Sequence, residues 1–211
     1  MLNRERSRAD REKRAWAAAI SNATIPPVIA VFTFALINYS RSSGVYFVAL
    51  TFLTTLFAAI VPLCILIVWA RRTNAHDMDV PARTDRNLPL LLATVSYLVG
   101  TAVLLIIRAP LLSTAVMFGY FAGTLFIFLV NLRWKISIHT MGIAGPTTVL
   151  VYVFGYWGAL LGLLLPPVIW SRVYLKKHTL AQALAGAVVG FLLTALALWL
   201  VFTYGRLFTS P

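Results

Sequence analysis

Cysteine is nearly missing from this chain: Cys64 stands alone among 211 residues. A single thiol excludes a disulfide framework and a cysteine-built zinc site. Acidic residues are scarce too, six against 18 Lys and Arg. Charged residues make up only 11% of the chain, where a soluble protein carries about 25%. So little charge excludes a soluble globular domain. The 60% hydrophobic content and the mean hydropathy of +0.85 exclude a disordered chain. No internal repeat and no low-complexity linker is visible. A net charge of +12 would point to nucleic acid in a soluble protein. Here the basic residues punctuate long apolar stretches, so they read as membrane-orientation signals, and no nucleic-acid partner is expected.

Stretches free of Asp, Glu, Lys and Arg cover 15–40, 42–70, 87–107, 109–132, 136–171 and 178–205. A spanning helix needs about 20 apolar residues. Five of the stretches fit one span each. The stretch 136–171 as one helix would be about 54 Å long, against a hydrocarbon core of about 30 Å. It is expected to break at Gly155-Tyr156-Trp157-Gly158 into two short helices, about 140–154 and 157–171. The fold class read from the sequence is an all-α polytopic membrane bundle of about seven crossings (six to seven), two of them short.

Parity then sorts the charges. The N-terminal tail and the loops 70–87, 131–139 and 172–178 hold fifteen Lys and Arg, and the other side holds Arg41, Arg108 and Arg206. The positive-inside rule places the basic side in the cytoplasm of a multi-pass cell-membrane protein. Residues 1–14 read as a basic cytoplasmic tail that attracts anionic lipid head groups, and 15–211 as one membrane domain. The tail with its following run reads as an uncleaved first span rather than a signal peptide.

Three polar clusters lie in loops on that same side: 76–87, 135–140 and 170–182. Polar groups at the edge of spans are functional candidates by default. Together the clusters offer His139, His178, Arg86, Arg172, Lys135 and Ser137. Two imidazoles among guanidinium groups and hydroxyls suit an anion, most naturally a phosphate. One His can attack phosphorus while another protonates the leaving oxygen. His178 and Gln182 stand four apart at a helix start, so the amide oxygen can hold a ring N–H and fix the tautomer. Gly186 and Gly190 continue that stripe and allow close helix packing.

Ser171-Arg172, five residues, His178, three residues, Gln182, then Ala185-Gly186 and Gly190 resembles the third signature of the type 2 phosphatidic acid phosphatase superfamily, to which the vanadium haloperoxidases belong. Ile136-Ser137-Ile138-His139-Thr140 is similar to its second signature, Pro-Ser-Gly-His. The 39 positions from His139 to His178 are a usual interval there. The first signature, Lys-x6-Arg-Pro, has a partial echo in Asp79 and Arg86-Asn87. The specific resemblance spans about 135–190. It implies a membrane lipid phosphatase that needs no metal, with His178 as nucleophile and His139 as acid. Arg172, Arg86 and Ser137 would hold the phosphoryl oxygens. The sequence departs from the pattern at Gln182, which replaces a carboxylate, and at Asp79, which replaces a cation. It also lacks the Pro and Gly of the second signature. The stretch 88–130 looks like an extra pair of spans. Arg86 is then either part of the site or a topology residue only.

The expected function is hydrolysis of a lipid phosphate or a polyprenyl phosphate or diphosphate through a phosphohistidine, with membrane lipids as surroundings and no cofactor. Two alternatives stay open. One is a protein that binds or transports a lipid phosphate without cleaving it. The other is a Mg²⁺-dependent prenyl-diphosphate enzyme using Asp77, Asp79 and Asp85.

Overall fold

The computed structural model describes residues 2–73 and 83–204, with side chains from residue 9 on. Every regular element among the described residues is helical. In chain order they are α1 (Leu2–Ala23), α2 (Pro26–Tyr39), α3 (Gly44–Thr55), a π turn (Leu56–Ile60), α4 (Val61–Arg72), a 3-10 turn (Thr84–Arg86), α5 (Asn87–Ile106), α6 (Leu111–Asn131), α7 (Ile138–Phe154), a 3-10 stretch (Gly155–Leu164), α8 (Leu165–Tyr174) and α9 (Leu180–Tyr204). This is an all-α membrane bundle. Its outer face carries large apolar side chains such as Val45, Phe52, Leu192 and Trp199, which suit lipid contact. Polar side chains turn inward: Asn38 binds Thr54 at 3.1 Å and accepts from Ser113 at 2.7 Å, all three buried.

Five continuous helical runs are long and apolar enough to cross a membrane: Gly44–Arg72, Thr84–Ile106, Leu111–Asn131, Ile138–Tyr174 and Leu180–Tyr204. The pair Ala9–Ala23 and Pro26–Tyr39, bent by 46°, adds a sixth. The expectation of six to seven crossings thus meets five to six candidate spans, one of them doubled back on itself. That one is Ile138–Tyr174. α7 ends at Gly155, whose φ of +59° and ψ of −134° suit a residue without Cβ. The chain reverses there. Gly158 lies against the backbone of Leu150, Gly162 faces Thr147, and Val168 packs with Ile143. These pairs diverge in sequence as two antiparallel arms must. The break falls where the sequence placed it, with Tyr156 and Trp157 exposed at the tip.

The first expected span, 15–40, is not one rod. α1 runs through the expected boundary at residue 14 and stops at Ala23. The cause is local. Pro26 and Pro27 cannot donate to a continuing helix, and the residue before them, Ile25, is forced out of the helical region (φ −61°, ψ 140°). Pro62 acts differently. It follows the π turn, in which the carbonyl of Phe57 would look to the missing N–H of residue 62. Ser96 of α5 donates to that carbonyl instead, at 2.9 Å, and ties α5 to the turn.

Candidate active site

The turn from α8 to α9 explains why Ser-Arg-x5-His forms a site. Lys176 has φ +56°. Its N–H donates to the carbonyl of Val173 at 3.0 Å, and the next N–H, of Lys177, donates to the carbonyl of Arg172 at 3.0 Å. That pair of bonds is a Schellman turn with lysine in the left-handed position. The His178 amide then donates to the same Arg172 carbonyl at 3.2 Å, which folds the histidine back over the end of α8. Arg172 sits in the last turn of α8, where the helix dipole favours a cation.

α9 opens with a capping box. Thr179 Oγ1 accepts from the Gln182 N–H at 3.3 Å, and Gln182 Oε1 accepts from the Thr179 N–H at 3.2 Å. The same Oε1 lies 3.3 Å from His178 Nδ1, where it accepts from an Nδ1–H. The sequence foresaw the ring contact. It did not foresee the cap, although Thr179-x-x-Gln182 is its ordinary signature.

α7 is pinned against this start. The Ser137 N–H donates to the Gln182 carbonyl at 3.2 Å, and Thr140 Oγ1 donates to the Ala183 carbonyl at 2.7 Å. Gly186 makes the approach possible, because a Cβ there would collide with the Ser137 carbonyl and Thr140 Oγ1. His139, in the first turn of α7, is thereby set beside the start of α9. At the far wall Asn131 closes the end of α6 onto the start of α5. Its Nδ2 donates to the Arg83 carbonyl at 2.8 Å and to Asn87 Oδ1 at 2.9 Å, while Arg83 donates back to the Asn131 carbonyl at 2.8 Å. This clasp places Arg86, which is buried at the start of α5.

His139, His178, Arg172 and Arg86 line one cavity of about 120 Å³. The rest of its wall is mostly apolar: Pro26, Pro27, Pro62, Leu66, Pro89, Leu90, Ala93 and Ile138, with Tyr97 and Thr124. From Pro89 to Tyr97 of α5 the wall runs about 12 Å along the helix at 1.5 Å per residue. Three clusters far apart in sequence therefore meet at one end. The extra pair of spans, α5 and α6, supplies part of the wall, so Arg86 belongs to the cavity as well as to the basic side.

Other candidates fall elsewhere. Ser137 is fully buried and caps α7, accepting from the Thr140 N–H at 3.4 Å, and it does not line the cavity. Lys135 is half-buried in the loop before α7 and also lies off the cavity wall. Asp85 is exposed and accepts from the Thr84 hydroxyl at 3.3 Å. Asp77 and Asp79 lie outside the described residues. Among the described residues no group of three His, Cys, Asp or Glu is placed to hold a metal. Asn131 was missed, although a lone Asn closing an apolar run before a basic loop was a usable signal. Comparison with known proteins gives no match to any family model, curated protein or solved structure.

Proposed function

We propose that this protein is an integral-membrane phosphatase acting on lipid phosphates or polyprenyl phosphates and diphosphates. One observation carries the reading: two arginines and two histidines line a mostly apolar cavity inside a membrane bundle. That combination fits an amphiphile with a phosphorylated head and a hydrocarbon tail. Arg172 and Arg86 hold the phosphoryl oxygens as planar forks. Gln182 keeps the His178 proton on Nδ1, which leaves Nε2 with the lone pair. Nε2 attacks the terminal phosphorus, its bond to the leaving oxygen breaks (the lipid alcohol oxygen of a monophosphate, the bridging oxygen of a diphosphate), and His139 gives its proton to that oxygen. Water then attacks the phosphohistidine while His139 takes up the proton, and inorganic phosphate leaves. The motif resemblance over 135–190 supports the same assignment of roles. By the charge distribution the site end and the N-terminus face the cytoplasm of the cell membrane.

The observation that favours a binding protein without turnover is Gln182, a neutral partner where the resembled pattern has a carboxylate. One experiment separates the two readings. Purified protein is offered a panel of lipid phosphates, and released phosphate is measured. Release that His178→Ala abolishes supports the enzyme. Binding of the panel without release supports the alternative. A chelator that stops release would point to the Mg²⁺-dependent reading instead.

A further inference from the structure

The guanidinium of Arg172 is held from outside the motif region. Arg172 Nη1 donates to Ser21 Oγ at 2.7 Å, across 151 positions of chain. Both residues are buried, Ser21 at 5% exposure and Arg172 at 1%. One turn earlier on the same face of α1, the carbonyl of Ala17 accepts from Ser171 Oγ at 2.8 Å, and Ala17 is fully buried. The two bonds seat the end of α1 on the end of α8 at successive residues, Ser171 and Arg172. The chain then kinks at Pro26 and Pro27, which line the same cavity as Arg172.

We propose that Ser21 is a positioning residue for Arg172, so that the first helix completes the anion site although it carries no motif residue. The proposal rests on the lipid-phosphate reading of the cavity. An arginine side chain has many rotamers, and an anion that must order it loses affinity. Ser21 fixes one nitrogen of the fork in advance, and the backbone turn after Arg172 fixes its main chain. Preorganised donors of this kind favour phosphate binding without touching the phosphate.

The test uses the full chain in lipid nanodiscs with inorganic phosphate as probe. Phosphate affinity is measured calorimetrically, and KM and kcat are measured on a short-chain lipid phosphate. Ser21→Ala removes a hydrogen bond to a charged group, so phosphate affinity and kcat/KM should each fall about ten-fold. Ser21→Thr keeps the hydroxyl and should restore both. Ser113→Ala removes an equally buried hydroxyl at the opposite end of the bundle and should cost stability while leaving phosphate affinity unchanged. A Ser21→Ala protein with unaltered phosphate affinity and KM, beside an Arg172→Ala protein that has lost both, overturns the proposal alone. A wild-type protein with neither phosphate affinity nor phosphate release overturns the lipid-phosphate reading and the proposal with it.

Discussion

Two of the turns between helices in this bundle use the same backbone device at opposite ends. After α5, Arg108 takes a left-handed conformation at φ +52°, its N–H bonds the Leu105 carbonyl, and the Ala109 N–H bonds the Leu104 carbonyl. After α8, Lys176 does the same with Val173 and Arg172. The segments beyond the two turns differ. The first turn leads to Pro110, which starts α6 without a side-chain cap. The second leads to His178 and then to Thr179 and Gln182, which cap α9 and hold the ring. The backbone device serves only to reverse the chain. What sets the second turn apart is its side chains: Ser171 and Arg172 bond α1, and Arg172 and His178 share a cavity with residues of α5 and α7.

Removing the arginine from each turn gives the largest contrast. Arg172→Ala should lower kcat/KM for a lipid phosphate by roughly 10²- to 10³-fold per folded molecule, as loss of a donor to transition-state charge does. Arg108→Ala should leave kcat/KM unchanged. Equal losses in both variants would erase the distinction between the two ends.

The two ends should also lie on opposite sides of the membrane. In a Cys64→Ser background, Ser43→Cys near the Arg108 end should react with an impermeant thiol reagent applied to intact cells. Thr73→Cys near the site end should react only after permeabilisation. The reverse pattern would put the site outside.

Gln182 sharpens the comparison further, because it serves both the cap and the ring. Gln182→Leu should slow turnover by about 10²-fold through lost orientation and cost about 1 kcal/mol through the broken capping box. Gln182→Asp keeps an acceptor and adds a negative charge, which favours the protonated ring. A protonated ring cannot attack phosphorus, so the acidic limb of the rate profile should move to higher pH. If Gln182→Leu loses only stability, the residue is a cap and no more.

The smallest effect concerns the shared device itself. Left-handed backbone costs a non-glycine residue about 1–2 kcal/mol, partly offset by the extra freedom that glycine loses on folding. Lys176→Gly and Arg108→Gly should each raise stability by about 0.5 kcal/mol, seen as a small rise in melting temperature. A fall in either would mean that its long side chain contributes more than its backbone costs.

Much of this layout was legible in the sequence because membrane physics is written in runs. Charge-free stretches located the helices, and the length of 136–171 required a break that Gly155 supplies. Loop parity gathered His139, Arg172, His178 and Arg86 at one end. The fate of Ser137 was not legible, since whether a Ser before a helix caps it or reaches outward depends on what packs beside it, here α9. The kink before Pro26 was written in the sequence as Pro-Pro but hidden by the apolar run that contains it. Ser21 left no signal at all. A serine in an apolar helix is ordinary, and its partner lies 151 positions away.

The most direct measurement is to mix the protein with a lipid phosphate labelled at phosphorus, quench in alkali within milliseconds, and locate the label on the chain. The account predicts a phosphoryl group, stable in alkali and lost in acid, on His178 and absent from His178→Ala. Release of phosphate by wild type and His178→Ala alike, with no label on either, would contradict it.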